Sequence, residues 1–134
     1  MTDIKRYTVN HEWHDHTVTL EVDHARLTAE NAALYLTFWT GGDEFAEDEG
    51  GDPVRGLVRY FGAVTMRQIL AEYGSSFGET NAEASRIWSA QIRDTEGFGG
   101  EDGSPFGSIG IRILAADIEA PGFDDVVLKE LSAA

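Results

Sequence analysis

Apolar side chains recur at every second position in two early runs of the chain. In RYTVNH (Arg6 to His11) Tyr7 and Val9 share a face; in HTVTLEVD (His16 to Asp23) Val18, Leu20 and Val22 alternate with Thr17, Thr19 and Glu21. That period belongs to half-buried strands, and the short polar stretch between the runs predicts an antiparallel hairpin. The spacing then lengthens. In LTAENAALYLTFW, Thr28 stands at an N-cap position, and Leu27, Leu34, Tyr35, Phe38 and Trp39 form the apolar side of a helix that Gly41 and Gly42 end.

The third element has the strongest pattern. Asp52 followed by Pro53 is the favoured order for a helix start, an N-cap acceptor before a residue whose missing N–H costs nothing there. Val54, Leu57, Val58, Phe61, Thr65, Ile69 and Tyr73 follow at three- and four-residue steps, and Gly74 stops the run. Gly56 and Gly62 lie inside this pattern and lower its intrinsic stability by about 1 kcal/mol each relative to Ala, which points to close packing or a local bend. A capping box at Thr80 and Glu83 predicts another helix with Ala84, Ile87, Trp88 and Ile92 inward.

Glycine-rich sequence from Asp94 to Ser108 predicts a mobile loop, as does the acidic stretch 41–52. IGIRILAADIEA and DDVVLKELS then read as two strands joined through Pro121 and Gly122. The expected class is α+β: a mostly antiparallel four-stranded sheet in β-β-α-α-α-β-β order with helices packed on one face. At 134 residues, 1–134 fits a single domain able to bury a core without staples.

Composition narrows the chemistry. With no cysteine, disulfides and thiolate sites are excluded. No apolar run approaches the length of a membrane span and the first residues lack a signal-peptide core, so the expected location is the cytoplasm. Against 24 Asp and Glu stand 10 Lys and Arg, a formal net charge of -14. Such a field repels nucleic acid and anionic lipid and favours encounters with basic surfaces.

The phrases RYTVNHE, VTLEVDHARLTAENA, FWTGGDE and GIRIL, with the order of elements, resemble an uncharacterised (domain-of-unknown-function) family of small acidic proteins of phages, prophages and their bacterial hosts. The resemblance covers the hairpin, the first two helices and the late strand. It implies an accessory role on a mobile element and carries no catalytic residues.

All four histidines fall between Asn10 and His24. HEWHDH lacks the register of the helical zinc signature, because Asp15 stands where its second histidine belongs. His11, His14 and His16 remain candidate metal ligands at the hairpin end, with Glu12, Asp15 or His24 needed to complete a set. Trp13 is expected to fold over the sheet edge. No nucleophile–base pair is placed by spacing, GFGG lacks the pattern of a phosphate loop, and DEFAEDEGGD fails the calcium-loop template. Neither a cofactor nor an enzyme activity is expected.

Acid placement is more informative. Asp43, Glu44, Glu47, Asp48, Glu49 and Asp52 put six carboxylates into ten residues; Asp94, Glu96, Glu101 and Asp102 form a second group, and Glu119, Asp124 and Asp125 a third. Carboxylates at a density near that of DNA phosphates can occupy a basic nucleic-acid groove. Phe45 among them is a candidate aromatic anchor, and Arg55 and Arg59, one turn apart, are placed to pair with the acids. The expected function is therefore binding: an anti-defence inhibitor of anti-CRISPR or anti-restriction type, carried by a phage, that covers a basic host surface with Asp43 to Asp52 and Asp94 to Asp102 and does not itself bind nucleic acid or membrane. Two alternatives stand beside it. One is a housekeeping phage protein, acidic for solubility, forming a homodimer through an open edge strand; the other is a small metal-dependent enzyme using the hairpin histidines.

Overall fold

The computed structural model describes residues 3–12 and 15–131. Its elements are β1 (Ile4–Asn10), β2 (Thr17–Asp23), α1 (Ala29–Leu36), α2 (Gly42–Asp48), α3 (Pro53–Ala71), β3 (Gly74–Phe77), α4 (Ala82–Arg93) and β4 (Ile111–Glu119), with a 3-10 turn at Phe123–Asp125. The class is α+β, four helices on one antiparallel sheet of order β1-β2-β4-β3. No helix among the described residues is long and apolar enough to cross a membrane.

The hairpin forms as its alternation dictates. Tyr7 faces Leu20 and Val9 faces Val18, and β4 continues the same face with Ile111, Ile113, Ala116 and Ile118. Between Thr19 and Leu20 the register slips by one residue, which leaves Leu114 as the extra residue of a bulge in β4. α3 crosses the apolar face with Leu57, Phe61 and Ile69 fully buried, and Asp52 Oδ1 accepts from the N–H groups of Val54 and Arg55 at 3.0 and 3.2 Å. Thr28 caps α1 as its position predicts, accepting from Asn31 N at 3.2 Å. Both glycines inside α3 are contact points. A Cβ on Gly56 would lie 2.7 Å from the backbone of α2 at Ala46 N, and one on Gly62 would lie 2.5 Å from the Val9 side chain of β1.

Four readings of the pattern are corrected. The acidic stretch after Gly41 holds the helix α2, because Phe45 and Ala46 pack inward and give it an apolar side. α1 ends at Leu36, and Leu34 and Phe38 point outward, 64% and 52% exposed, while Ala32 and Leu36 are buried. Tyr73 ends α3 in a left-handed conformation (φ 71°) and is 90% exposed, not inward. The fourth strand is β3, four residues of GSSF, whereas residues 126–131 lie in no helix or strand. Alternation in DDVVLKELS has no partner strand to act on.

α4 keeps Ala84, Trp88 and Ile92 against the core as predicted, but not Ile87. Its N-cap is Asn81, accepting from Ala84 N at 3.0 Å, while Glu83 pairs with Arg86 instead of closing a box. Ile87 is exposed, and the most buried positions also include Ser85, Ser89 and Arg93, which the pattern does not mark as inward. The reason is the edge of β4. β3 pairs only with Ala116–Glu119, so the upper half of β4 has no strand on that side. α4 supplies the missing bonds: the Ser85 hydroxyl donates to the Ile113 carbonyl, Ser89 Oγ accepts from Ile113 N at 2.8 Å, and Arg93 Nη1 donates to the Ile111 carbonyl at 3.2 Å. One side chain per turn thus replaces a strand, since residues four apart share a helix face.

Candidate functional site

The predicted partner-binding residues separate into two groups. Asp48, Glu49, Asp52, Glu101 and Asp102 are engaged within the chain. Arg59 reaches Asp48 at 3.1 Å, Arg55 reaches Glu49 at 3.4 Å, and Asp52 caps α3. Glu101 receives both Nε and Nη2 of Arg93 at 2.7 Å, a bidentate pair whose arginine is only 4% exposed. Asp102 accepts from Ser104 N at 2.9 Å and from Arg26 Nη1 at 2.5 Å. With Phe98 fully buried and ringed by Trp39, Tyr60 and Phe61, these pairs tie the glycine-rich loop to the body.

The Ser104 N–H and then the Arg26 guanidinium hold the Asp102 carboxyl down at about 2, below its ordinary 3.8. A depressed carboxyl stabilises the fold while ionised, so its contribution is complete above about 3.8 and is lost as the pH falls through about 2. Asp102→Asn is expected to remove that part of the acid dependence. Thermal midpoints of the two proteins should differ at neutral pH and converge toward pH 2; a constant difference across the range refutes the assignment.

Asp43, Glu44, Glu47, Asp94 and Glu96 form the second group. They are exposed and make no ion pair among the described residues. Three of them, at spacings of one, three and four, lie on one side of α2. Phe45 is not an exposed anchor: it packs on Tyr60 with ring centroids 4.9 Å apart, under the Arg59 guanidinium.

Beside these acids lies an apolar surface that periodicity hides. Leu34 and Phe38 stand out from the end of α1, with a cleft on either side. One, of about 410 Å³, is lined by Leu36, Trp39, Ala46 and Pro53 and bordered by Asp43. The other, of about 510 Å³, is lined by Leu34, Tyr35, Phe38 and Gly97. Gly97 (φ +98°) lets the loop backbone lie against the aromatic pair, since a Cβ there would fall 2.6 Å from Phe38 and 2.7 Å from Trp39. Glu96 is thereby carried to the rim. Burial raises the Tyr35 phenol above its ordinary value, with the Asp102 charge adding to it, so the hydroxyl stays a neutral donor at neutral pH. A surface that combines exposed Leu and Phe with a carboxylate rim suits a partner that is apolar at its centre and basic around it.

The three histidines among the described residues do not gather at one point. His11 and His16 meet edge-on with centroids 6.0 Å apart, and His16 Nε2 donates to the Glu119 carbonyl at 3.1 Å, which keeps that nitrogen protonated and unfit as a ligand. His24 bonds the Tyr7 hydroxyl at 2.9 Å. His14 and Trp13 lie outside the described residues. No three His, Asp or Glu side chains among the described residues are grouped to hold a metal ion. A cleft of about 530 Å³ along α4 contains Ser85, Ser89, Arg86, Arg93 and Arg112, yet both serines and Arg93 are committed to backbone and Glu101, and the lining includes no histidine to activate a hydroxyl.

No curated protein and no solved structure matches the chain. A family model does match, over residues 17–128, from the first residue of β2 into the segment that follows β4. By that match the chain belongs to the family described as "Protein of unknown function (DUF2528)".

Proposed function

We propose that this protein acts by binding, docking the Leu34–Phe38 surface and its carboxylate rim on a basic protein surface. The observation that carries the reading is a pair of exposed apolar side chains and two clefts, one lined by Asp43 and the other by Gly97 next to Glu96, neither acid being ion-paired among the described residues. A net charge of -14 adds long-range attraction toward a basic partner. Basic surfaces are typical of proteins that handle nucleic acid. The role that fits is an anti-defence inhibitor of anti-CRISPR or anti-restriction type, encoded by a phage or prophage and acting in the host cytoplasm by occupying the groove meant for nucleic acid. The acids that serve are Asp43, Glu44, Glu47, Asp94 and Glu96; the paired ones hold the surface in shape.

Capture from host lysate on immobilised protein, eluted at graded salt, tests this. A nucleic-acid-processing protein is expected to elute as salt rises, because screening weakens exposed charge pairs. Asp43→Lys, Glu44→Lys and Glu47→Lys together should reduce its recovery at least tenfold and flatten the salt dependence, while Phe38→Ala should reduce recovery at every salt. Equal recovery by all three proteins refutes the reading.

A further inference from the structure

β1 is an edge of the sheet, and beside it a cleft of about 200 Å³ runs between the strand and the first turns of α3. Tyr7, Val9 and Val58 supply its apolar lining, with Arg55 and Arg59 beside them. Lys5, Arg6, Arg55 and Arg59 belong to β1 or to this cleft, which Glu49 also lines; Arg55 and Arg59 pair with Glu49 and Asp48, and Arg6 with Glu21 and Glu79. Arg59 Nε is shut off from solvent without a hydrogen-bond acceptor among the described residues, Glu49 Oε2 standing 3.8 Å away. An extended segment laid along β1 would pair with the outward backbone groups of the strand. Its inward side chains fit best if apolar in the middle, against Tyr7, Val9 and Val58.

The chain holds a segment of that kind. Residues 126–131 form no helix or strand, and Val126, Val127, Leu128 and Leu131 are 65% to 96% exposed. Extended, with the 3-10 turn at its start opened, 124–131 would present Asp124, Val126, Leu128 and Glu130 on one side, two apolar side chains bracketed by two acids. Its eight residues match the seven of β1. β3, the other edge, offers four. We propose that 124–131 of one copy adds as a strand to β1 of a second copy, and reciprocally, to make a twofold dimer. Within one chain the same docking is blocked by topology: β2 separates β4 from β1, and the segment would have to pass over the connection between β1 and β2.

Light scattering on the full chain at micromolar concentration is expected to give twice 14.7 kDa, and Val126→Asp with Leu128→Asp to give 14.7 kDa. Both positions are exposed, so circular dichroism of that variant should stay native. A labelled synthetic peptide of residues 122–131 should bind the variant with increased fluorescence anisotropy, and Arg55→Glu in the same background should abolish the increase. A monomeric parent chain, or a dimer that survives the double substitution, overturns the proposal; a monomeric parent in which 126–131 is protected from hydrogen exchange overturns it in favour of docking within one chain.

Discussion

Arg93→Ala is expected to lower unfolding free energy by about 3–5 kcal/mol, the range for removing one partner of a buried charged network. Arg93 is 4% exposed and spends its guanidinium on Glu101, Pro105 and Ile111 together. Its loss would strand the buried Ile111 carbonyl, at about 1–3 kcal/mol, leave the Pro105 carbonyl to water, and release the loop that Glu101 ties down. Lysine should not rescue it, because a point charge cannot serve a bidentate carboxylate and two carbonyls at once. Arg86, on the same helix but two-thirds exposed in its pair with Glu83, is the control. Urea midpoints should fall steeply for Arg93→Ala and stay put for Arg86→Ala. Equal midpoints would mean that the upper half of β4 is closed by something other than α4.

Gly56→Ala is expected to cost about 3 kcal/mol, at the upper end for overpacking a close contact. Intrinsic propensity argues the opposite sign, since alanine gains about 1 kcal/mol over glycine inside a helix. Geometry decides. The added methyl would meet Ala46 N and the Phe45 carbonyl carbon at 2.7 Å, and backbone cannot rotate away as a side chain can. α2 must therefore lift off α3, taking Phe45 from Tyr60 and Asp43 from its place at the cleft. Chemical denaturation gives the stability, and a variant as stable as the parent would show that α2 does not rest on α3 as described. Gly62→Ala meets the Val9 side chain instead, and the smaller loss expected there makes the pair a test of backbone against side-chain contact.

What the sequence makes legible is whatever depends on near neighbours. The hairpin alternation, the Thr28 cap, the Asp52–Pro53 start of α3 and the close packing at Gly56 and Gly62 all follow from local chemistry, and all are present. The pairing of Arg55 and Arg59 with the acids of α2 is likewise within a few turns. Features that depend on distant segments are hidden. Ser85, Ser89 and Arg93 look like a solvent face until the short β3 leaves Ile111 and Ile113 needing partners. Glu101 and Asp102 look free until Arg93 and Arg26 arrive, and Leu34 and Phe38 look like core because a helix pattern does not say which side meets the sheet. Of the candidate acids, those on α2 and at the start of the long loop stay exposed, and the apolar half of the surface was signalled only by aromatic density before Gly41.

α4's grip on β4 has a consequence for how the chain keeps company with its own kind. A sheet with two long open sides can add copies at both, and such growth has no natural stopping point; that is how filaments arise. Here the serines and arginine of one helix occupy the upper reach of one side, and only the four residues of β3 remain below. Each molecule is left a single long seam, along β1. If 124–131 seats on β1 as proposed, reciprocal exchange uses that seam on both copies and closes the assembly at two, whereas one-way addition would leave a free segment and a free edge for a third.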